Sequence, residues 1–384
     1  MKGHKHVLVA LGWYDYPLHR GIERYAQEHG WLLSAHSAGE KADSGRWEGD
    51  GILAWLGHSQ DLGAFVECAK RPTVDFSFHR PGLRFPRVLE DHAGAGELVA
   101  EHFLSRGFTN FMFFSDVPNC SYEERGTGFV AALKREGHGC IWIKRQQPSE
   151  PRNERDPWKR KRAWLAAQLK KAPKPLALFA VNDQLALEAL AICKSVGLAV
   201  PDHVAIVGAG NNLLAPDTME IPISSVDTNL ELVGYRGAEL LDRCMSGKSA
   251  LTELVRIPPA AVIVRRSSDV LAVGHRGVAR SLRFIHDHFH EPITIKDVVG
   301  IASMSRRGLH KAFIQVLGRT PGSELNRLRI QKAKRLLCET SHKIHSVAEM
   351  CGYQSSNTFS ISFRKTTQTS PGRFREQRVL QAQD

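Results

Sequence analysis

Two stretches of this chain set side chains suited to reading base edges on the faces of short helices. Arg306, Arg307, His310 and Lys311 follow Ser305 at helical spacing, and Gln354, Asn357, Ser360 and Arg364 lie around Ser355 and Ser356 in the same way. Arginine and lysine can donate to guanine, and asparagine or glutamine can pair with adenine, so both rows suit major-groove readout. A solvated helix face is the competing reading of such a row. Repetition argues against it: the stretch 295–321 (IKDVVGIASMSRRGLHKAFIQVLGRTP) recurs over 344–371 (IHSVAEMCGYQSSNTFSISFRKTTQTSP), with Phe313 aligned to Phe363 and Pro321 to Pro371 at an offset of 50.

Each repeat reads as a short helix, a tight turn and a longer helix that starts at a capping serine, Ser305 in the first and Ser355 or Ser356 in the second. Val298, Ile301, Leu309 and Phe313, with Val347, Met350, Phe359 and Phe363, are the apolar positions expected to pack each pair together. Between the repeats Pro321 opens a basic helix expected over 322–340, which at about 1.5 Å per residue spans about 28 Å. That is close to one turn of B-DNA, so two reading helices could enter successive major-groove segments on one face.

The charge distribution agrees. Of the formal net charge of +12 over 384 residues, +11 falls in residues 276–384, where 19 Lys and Arg face 8 Asp and Glu. A basic segment beside a neutral one suits a polyanionic partner, because each neutralised phosphate releases counterions.

Upstream the texture is different. Short apolar runs, such as HVLVAL (6–11), GILAWL (51–56), 73–78, 110–114, 140–144, 177–181 and 204–208, alternate with helical patterns at 18–29, 61–69, 94–105, 125–136, 159–171 and 184–196. A polar, charged loop is expected over 146–158. Alternation of this kind argues parallel α/β sheets, its length argues two of them, and ligands in such folds bind at the carboxyl ends of the strands. The segment from Ser267 to Gly277 lacks sustained periodicity and is the expected hinge, after which no strand-like run occurs.

Several function classes are disfavoured. The seven cysteines are odd in number and scattered, with no metal-ligand spacing, so no disulfide framework, metal or cofactor is expected. The amino terminus lacks the pattern of a signal peptide, and no apolar run approaches the roughly 18 residues of a membrane span, so a cytoplasmic location is expected. A solute-binding carrier would need an export signal and no basic helical appendage. No nucleophile-elbow, zinc-protease, dinucleotide or P-loop motif suggests an enzyme.

At these residues the chain resembles known families. Residues 278–375, with both helix-turn-helix units, the linker helix, the CGY turn (Cys351 to Tyr353) and the closing SPGRFR, resemble the AraC/XylS-type DNA-binding domain. Gln368 stands where many members carry glycine. The stretches AVNDQLALEAL (180–190), GLAVPDHVAIVG (197–208), SSVDTNLELVGYRGAELL (224–241) and IPPAAVIVRRSSD (257–269) resemble the effector domain of LacI-type repressors, and Asp91, Gly107, Arg125, Gly128 and Phe129 repeat that family's spacing. The two-part architecture is similar to that of XylR-like regulators.

The resemblance implies an α/β two-lobed periplasmic-binding-protein-like sensor domain (1–267), a hinge (268–277) and an all-α domain (278–384) with helix-turn-helix motifs at 294–317 and 344–367. It implies a transcription regulator, an activator or dual regulator, that binds double-stranded DNA and a sugar such as a pentose and acts as a homodimer, with RNA polymerase as a further partner. It places Arg125 on an effector-contacting arginine and Asn182 with Asp183 on a strand-end polar pair. A helix-start charge for Arg125 and a helix cap for Asp183 are the alternatives. Trp13, Tyr14 and Asp15 follow the first strand, where an aromatic ring could stack on a sugar or serve a core or interface instead. The family's aspartate in the G-x-D motif after the strand at 204–208 is replaced by Gly210, with Asn211 a partial substitute. A non-sugar effector or a vestigial pocket therefore stays open.

Overall fold

The computed structural model describes residues 4–36, 47–57, 60–78, 82–116, 120–144, 157–211, 220–248, 253–272 and 275–380. Most of the loop expected over 146–158 lies outside them. The first lobe is laid down by β1 (His6–Leu11), α1 (Tyr16–His29), β2 (Leu32–His36), β3 (Gly51–Trp55), α2 (Gln60–Ala69), β4 (Thr73–Asp75) and β5 (Arg87–Glu90). The chain then crosses into a second lobe of α3 (His92–Ser105), β6 (Asn110–Ser115), α4 (Cys120–Arg135), β7 (Ile141–Lys144), α5 (Pro157–Lys171), β8 (Leu176–Ala180), α6 (Asp183–Ser195), β9 (Val204–Ala209) and β10 (Ser224–Asp227). It returns to lobe 1 through α7 (Leu230–Met245) and β11 (Leu254–Ile257), and crosses again to β12 (Ala261–Ile263) in lobe 2. Three strands of chain therefore join the lobes.

Each lobe is a six-stranded sheet, ordered β11-β5-β4-β3-β1-β2 and β12-β10-β9-β8-β6-β7. Pairing is parallel except for β12, which runs antiparallel to β10. The central strands β1, β3, β8 and β9 are buried along nearly their whole length, as continuous apolar runs covered by helices on both faces must be. Lobe 2 holds the larger core, built on Phe103, Phe113, Phe129 and Phe179.

β2, β5, α7 and β10–β12 were not expected from periodicity. β2 (LLSAH) and β11 (LVRI) are edge strands, and β5 and β12 are only four and three residues long, too short to display a period. The expected strand 73–78 ends at Asp75. There the buried Asp75 carboxylate accepts the Ser77 N–H (2.9 Å), turning the chain out of the sheet. The expected helix 125–136 begins five residues early, at Cys120.

The last part is all helical: α8 (Arg276–His288), α9 (Ile295–Ala302), α10 (Arg306–Leu317), α11 (Pro321–Glu339), α12 (Ile344–Met350), α13 (Ser356–Thr367) and α14 (Pro371–Leu380). It has two apolar cores. One joins α8, α9, α10 and the start of α11, and the other joins the rest of α11 to α12 and α13. Two of the eight expected packing positions face outward. Val298, Leu309, Phe313, Val347, Phe359 and Phe363 are fully buried, but Ile301 and Met350 are 42% and 39% exposed, and Ala302 and Cys351 fill their places. Residues four apart share a helix face, so Val298 pairs with Ala302 and Val347 with Cys351.

Ser267 and Ser268, at the start of the expected hinge, are fully buried. The Ser267 hydroxyl donates to the Ile206 carbonyl (2.6 Å), and that of Ser268 donates to Ser224 (2.7 Å). Among the described residues no helix is long and apolar enough to cross a membrane.

Candidate functional site

The cleft between the lobes is lined from lobe 1 by Trp55 at the end of β3, by Phe76 and Phe78 after β4, and by Glu90 at the end of β5. His92 and Glu124 line it from the second lobe, and Arg256 of β11 reaches over from the first. Two charge pairs hold it. Arg256 bonds Glu124 bidentately across the lobes, Nη1 to Oε2 at 2.9 Å and Nη2 to Oε1 at 3.2 Å. Arg125 of α4 donates through Nη2 to Glu90 (3.2 Å), through Nη1 to the Val181 carbonyl (2.8 Å) and through Nε to His92 Nδ1 (3.3 Å).

That arrangement depends on α3 and α4 touching. A Cβ on Gly96 would lie 2.1 Å from the Arg125 carbonyl, and one on Gly128 would lie 2.1 Å from that of Ala93, so only glycine permits the crossing. Burial, with the nearby Arg125 charge, pushes the His92 pKa down to about 4 against the opposing effect of Glu90. A neutral imidazole at pH 7 is what an acceptor of the Arg125 N–H must be.

Arg125 is thus buried at the cleft and is not a surface charge. Asn182 caps α6, accepting the Leu185 N–H (2.8 Å), and donates through Nδ2 to the Tyr122 hydroxyl (3.2 Å). Asp183 is not the cap. It is the first residue of α6, buried, and accepts from Ser225 Oγ at 2.6 Å. Asn211 accepts from Arg265 Nη2 (2.9 Å), while its backbone N–H donates to Ser225. Asp91 caps α3 by accepting the Gly94 N–H (2.9 Å). None of the eight expected effector residues is itself among the cleft-lining residues: Arg125 reaches the cleft through Glu90 and His92, Trp13 and Tyr14 are 68% and 61% exposed, and Asp15 is buried beside them. Trp55, Phe76, Phe78, Glu90, His92, Glu124 and Arg256 were missed, although the strand-end rule could have found Trp55 and Glu90.

In the helical part Ser305 caps α10 by accepting the Gly308 N–H (3.1 Å), and Ser355 caps α13 by accepting that of Thr358 (3.2 Å). Arg306, Arg307, His310 and Lys311 are exposed on α10. Gln354, Ser355, Ser356, Asn357 and Arg364 are exposed on or beside α13, with Ser360 half-buried. Ile361, 64% exposed among them, was missed. An outward-facing isoleucine beside these polar side chains has the chemistry to contact a thymine methyl group.

The two-lobed and helical parts meet at a polar seam. Glu324 of α11, fully buried, is flanked by Arg327 (2.8 Å), Arg319 (2.7 Å) and His286 (3.6 Å). Burial alone would raise its pKa, but Arg327, His286 and Arg319 together hold it well below the usual carboxylate range. Arg319 also donates to the Leu104 carbonyl near the end of α3 (2.8 Å), and Gln331 bonds Glu101.

Comparison with known proteins assigns both parts. Residues 100–268 match the model of a periplasmic binding protein-like domain and residues 298–377 that of a helix-turn-helix domain. The chain is a two-domain, DNA-binding transcription regulator, similar in its arrangement to XylR-like proteins. Over 340 residues it is 26% identical to the xylose operon regulatory protein of Escherichia coli K12, covering 86% of this chain and 84% of that one. Over 119 residues, 30% of this chain and 43% of the relative, it is 36% identical to the transcriptional activator RhaS of Enterobacter sp. strain 638. A solved structure described as the xylose-binding transcription activator xylR has the same fold, with a TM-score of 0.59, 23% identity and coverage of 98% of both chains. The relatives are regulators and not enzymes.

Proposed function

We propose that this regulator senses a neutral sugar of the pentose class in the cleft between its lobes and reads DNA with α10 and α13. The observation that carries the sugar reading is the charge-compensated cleft. Glu90 with Arg125 and Glu124 with Arg256 offer donors and acceptors without net charge, beside the rings of Trp55, Phe76 and Phe78. Sugar hydroxyls need such partners when buried, ring faces stack on aromatics, and a phosphorylated sugar would bring charge that this cleft does not balance. The E. coli relative governs, by its name, a xylose operon.

In this reading residues 1–267 sense, 268–277 connect and 278–384 bind DNA. Arg125 and Asn182 contact the effector, with Asp91, Asp183 and Asn211 shaping the site and Trp13, Tyr14 and Asp15 at its rim. Ser305, Arg306, Arg307, His310, Lys311, Gln354, Ser355, Ser356, Asn357, Ser360 and Arg364 form the DNA surface. The protein works in the cytoplasm as a homodimer and as an activator that meets RNA polymerase.

Thermal-shift titration with pentoses, hexoses and their phosphates tests the effector. A shift with a free pentose supports the proposal, and no shift with any sugar sinks it. A non-sugar effector is the second reading, favoured by Asn211 being engaged with Arg265 where the family's carboxylate is missing.

A further inference from the structure

The two apolar cores of the DNA-binding part lie along one helix, α11, and the boundary between them falls between Leu328 and Ile330. Arg329 sits at that boundary. Its guanidinium donates through Nε to the Phe289 carbonyl (2.9 Å) and through Nη2 to the carbonyls of Glu291 (2.7 Å) and Ile293 (3.1 Å). These three carbonyls belong to the loop that leads from α8 into α9, the first helix-turn-helix unit.

The second unit reaches the same loop. Gly352, in the turn between α12 and α13 with φ of 78°, is so close that a Cβ would lie 2.5 Å from the Glu291 carbonyl oxygen and 2.6 Å from that of Phe289. Tyr353 places its ring 5.4 Å from the Arg329 guanidinium. Its hydroxyl donates to Asn326 of α11 (2.9 Å), whose side-chain oxygen also accepts from Ser362 of α13. One loop of the first unit is thus gripped by the linker helix and abutted by the turn of the second.

We propose that Arg329 is a positioning residue that fixes the separation and twist of the two reading helices, and so sets the spacing of the two DNA boxes the chain accepts. The guanidinium is half-buried and occupied by backbone carbonyls, so it acts through the units it joins. Lysine has the charge but not the planar fork that reaches three carbonyls from one position. The inference rests on DNA reading by both α10 and α13.

The test uses the full chain and duplexes it selects from a random library. One duplex keeps the selected spacing, another carries a single inserted base pair between the boxes, and a third retains one box only. One base pair shifts a box by about 3.4 Å and turns it by roughly 34°, out of reach of a rigid reader. Wild type is expected to lose about 100-fold on insertion, the order of magnitude that losing one box's base contacts entails. Arg329→Ala and Arg329→Lys are expected to lose less than about 10-fold on insertion while single-box affinity falls no more than a few-fold. Simple unfolding would lower all three affinities together and leave no change in spacing preference. If the alanine variant does not fold, Arg329→Lys and Gly352→Ala, which pushes the loop away from the second unit, carry the same expectation. A full insertion penalty in the folded variants, or none in wild type, overturns the positioning role. A wild-type chain that selects no sequence at all overturns the DNA-reading proposal instead.

Discussion

Replacing Glu324 by glutamine keeps the shape of a fully buried side chain and removes the one negative charge that Arg327, Arg319 and His286 share. The loss exceeds one ion pair. Arg327 meets both carboxylate oxygens, at 2.8 and 3.0 Å, and Arg319 would keep only its bond to the Leu104 carbonyl. Removing one partner of a buried pair typically costs about 3–5 kcal/mol, because the remaining charges stay desolvated. Glutamine retains an acceptor oxygen, so Glu324→Gln belongs at about 3 kcal/mol and Glu324→Ala near the upper end. At about 2–4 °C per kcal/mol for a unit of 150–250 residues, the glutamine variant should melt at least roughly 6 °C lower at pH 7.5. The sign of the pH dependence follows from the lowered pKa. The carboxylate's contribution is fully present above its unfolded value near 4.5 and fades as the pH falls toward its folded value, so the gap between wild type and variant should narrow in acid. Differential scanning calorimetry at a series of pH values reads both effects. A drop of less than about 1 °C at pH 7.5, or a gap that widens in acid, would refute the reasoning.

Gln368 ends α13 in the left-handed region with φ of 59°, where the equivalent cap of α10 is Gly318; Gln368→Gly should stabilise the protein by about 1 kcal/mol in urea unfolding. Burial lowers the pKa values of His92, His102 and His286, so each is neutral in the fold and favours folding fully above pH 6.5; stability should decline as the pH falls from there toward 4, and His102→Gln should flatten that decline in acid titrations followed by circular dichroism. Arg306→Ala should change base preference in selection experiments, whereas Lys332→Ala should weaken binding to all sequences alike and lower the salt slope by about one. Ile361→Ala should cost discrimination at a thymine by about 1 kcal/mol, read by competition between duplexes that differ in that base.

The helical part was legible in the sequence because its signals are local and repeated. Capping serines, the Pro321 and Pro371 starts and the Phe313–Phe363 pair recur at an offset of 50, and the error lay in which of two adjacent residues faces inward, Ile301 or Ala302 in the first unit and Met350 or Cys351 in the second. The central strands were legible as continuous apolar runs. The edge strands β2 and β11 were not, because four or five mixed residues carry no period. The cleft was the least legible part. Glu124 and Arg256 are 132 residues apart in the chain, and their pairing follows from how β11 crosses back into lobe 1, which no local pattern records. Asp183 and Asn211 have the right types for ligand contact but are engaged with Ser225 and Arg265, a competition that only packing reveals.

The seam at the end of α3 makes the two lobes mechanically unequal. α3 packs on α4 and on lobe 2, and Glu101 and Leu104 at its far end hold Gln331 and Arg319 of the DNA-binding part. Lobe 2 and the reader are thus tied to each other directly, whereas lobe 1 is joined to lobe 2 by three crossings of chain and by the Glu90–Arg125 and Arg256–Glu124 pairs at the cleft. The aromatic wall of the cleft, Trp55, Phe76 and Phe78, sits on lobe 1, so any opening of the cleft would carry it away from the reader and leave lobe 2 in place. A distance label on α1 paired with one on α8 would follow such an opening directly, whereas a pair on α5 and α8 would sit on lobe 2 and the reader and serve as the still reference.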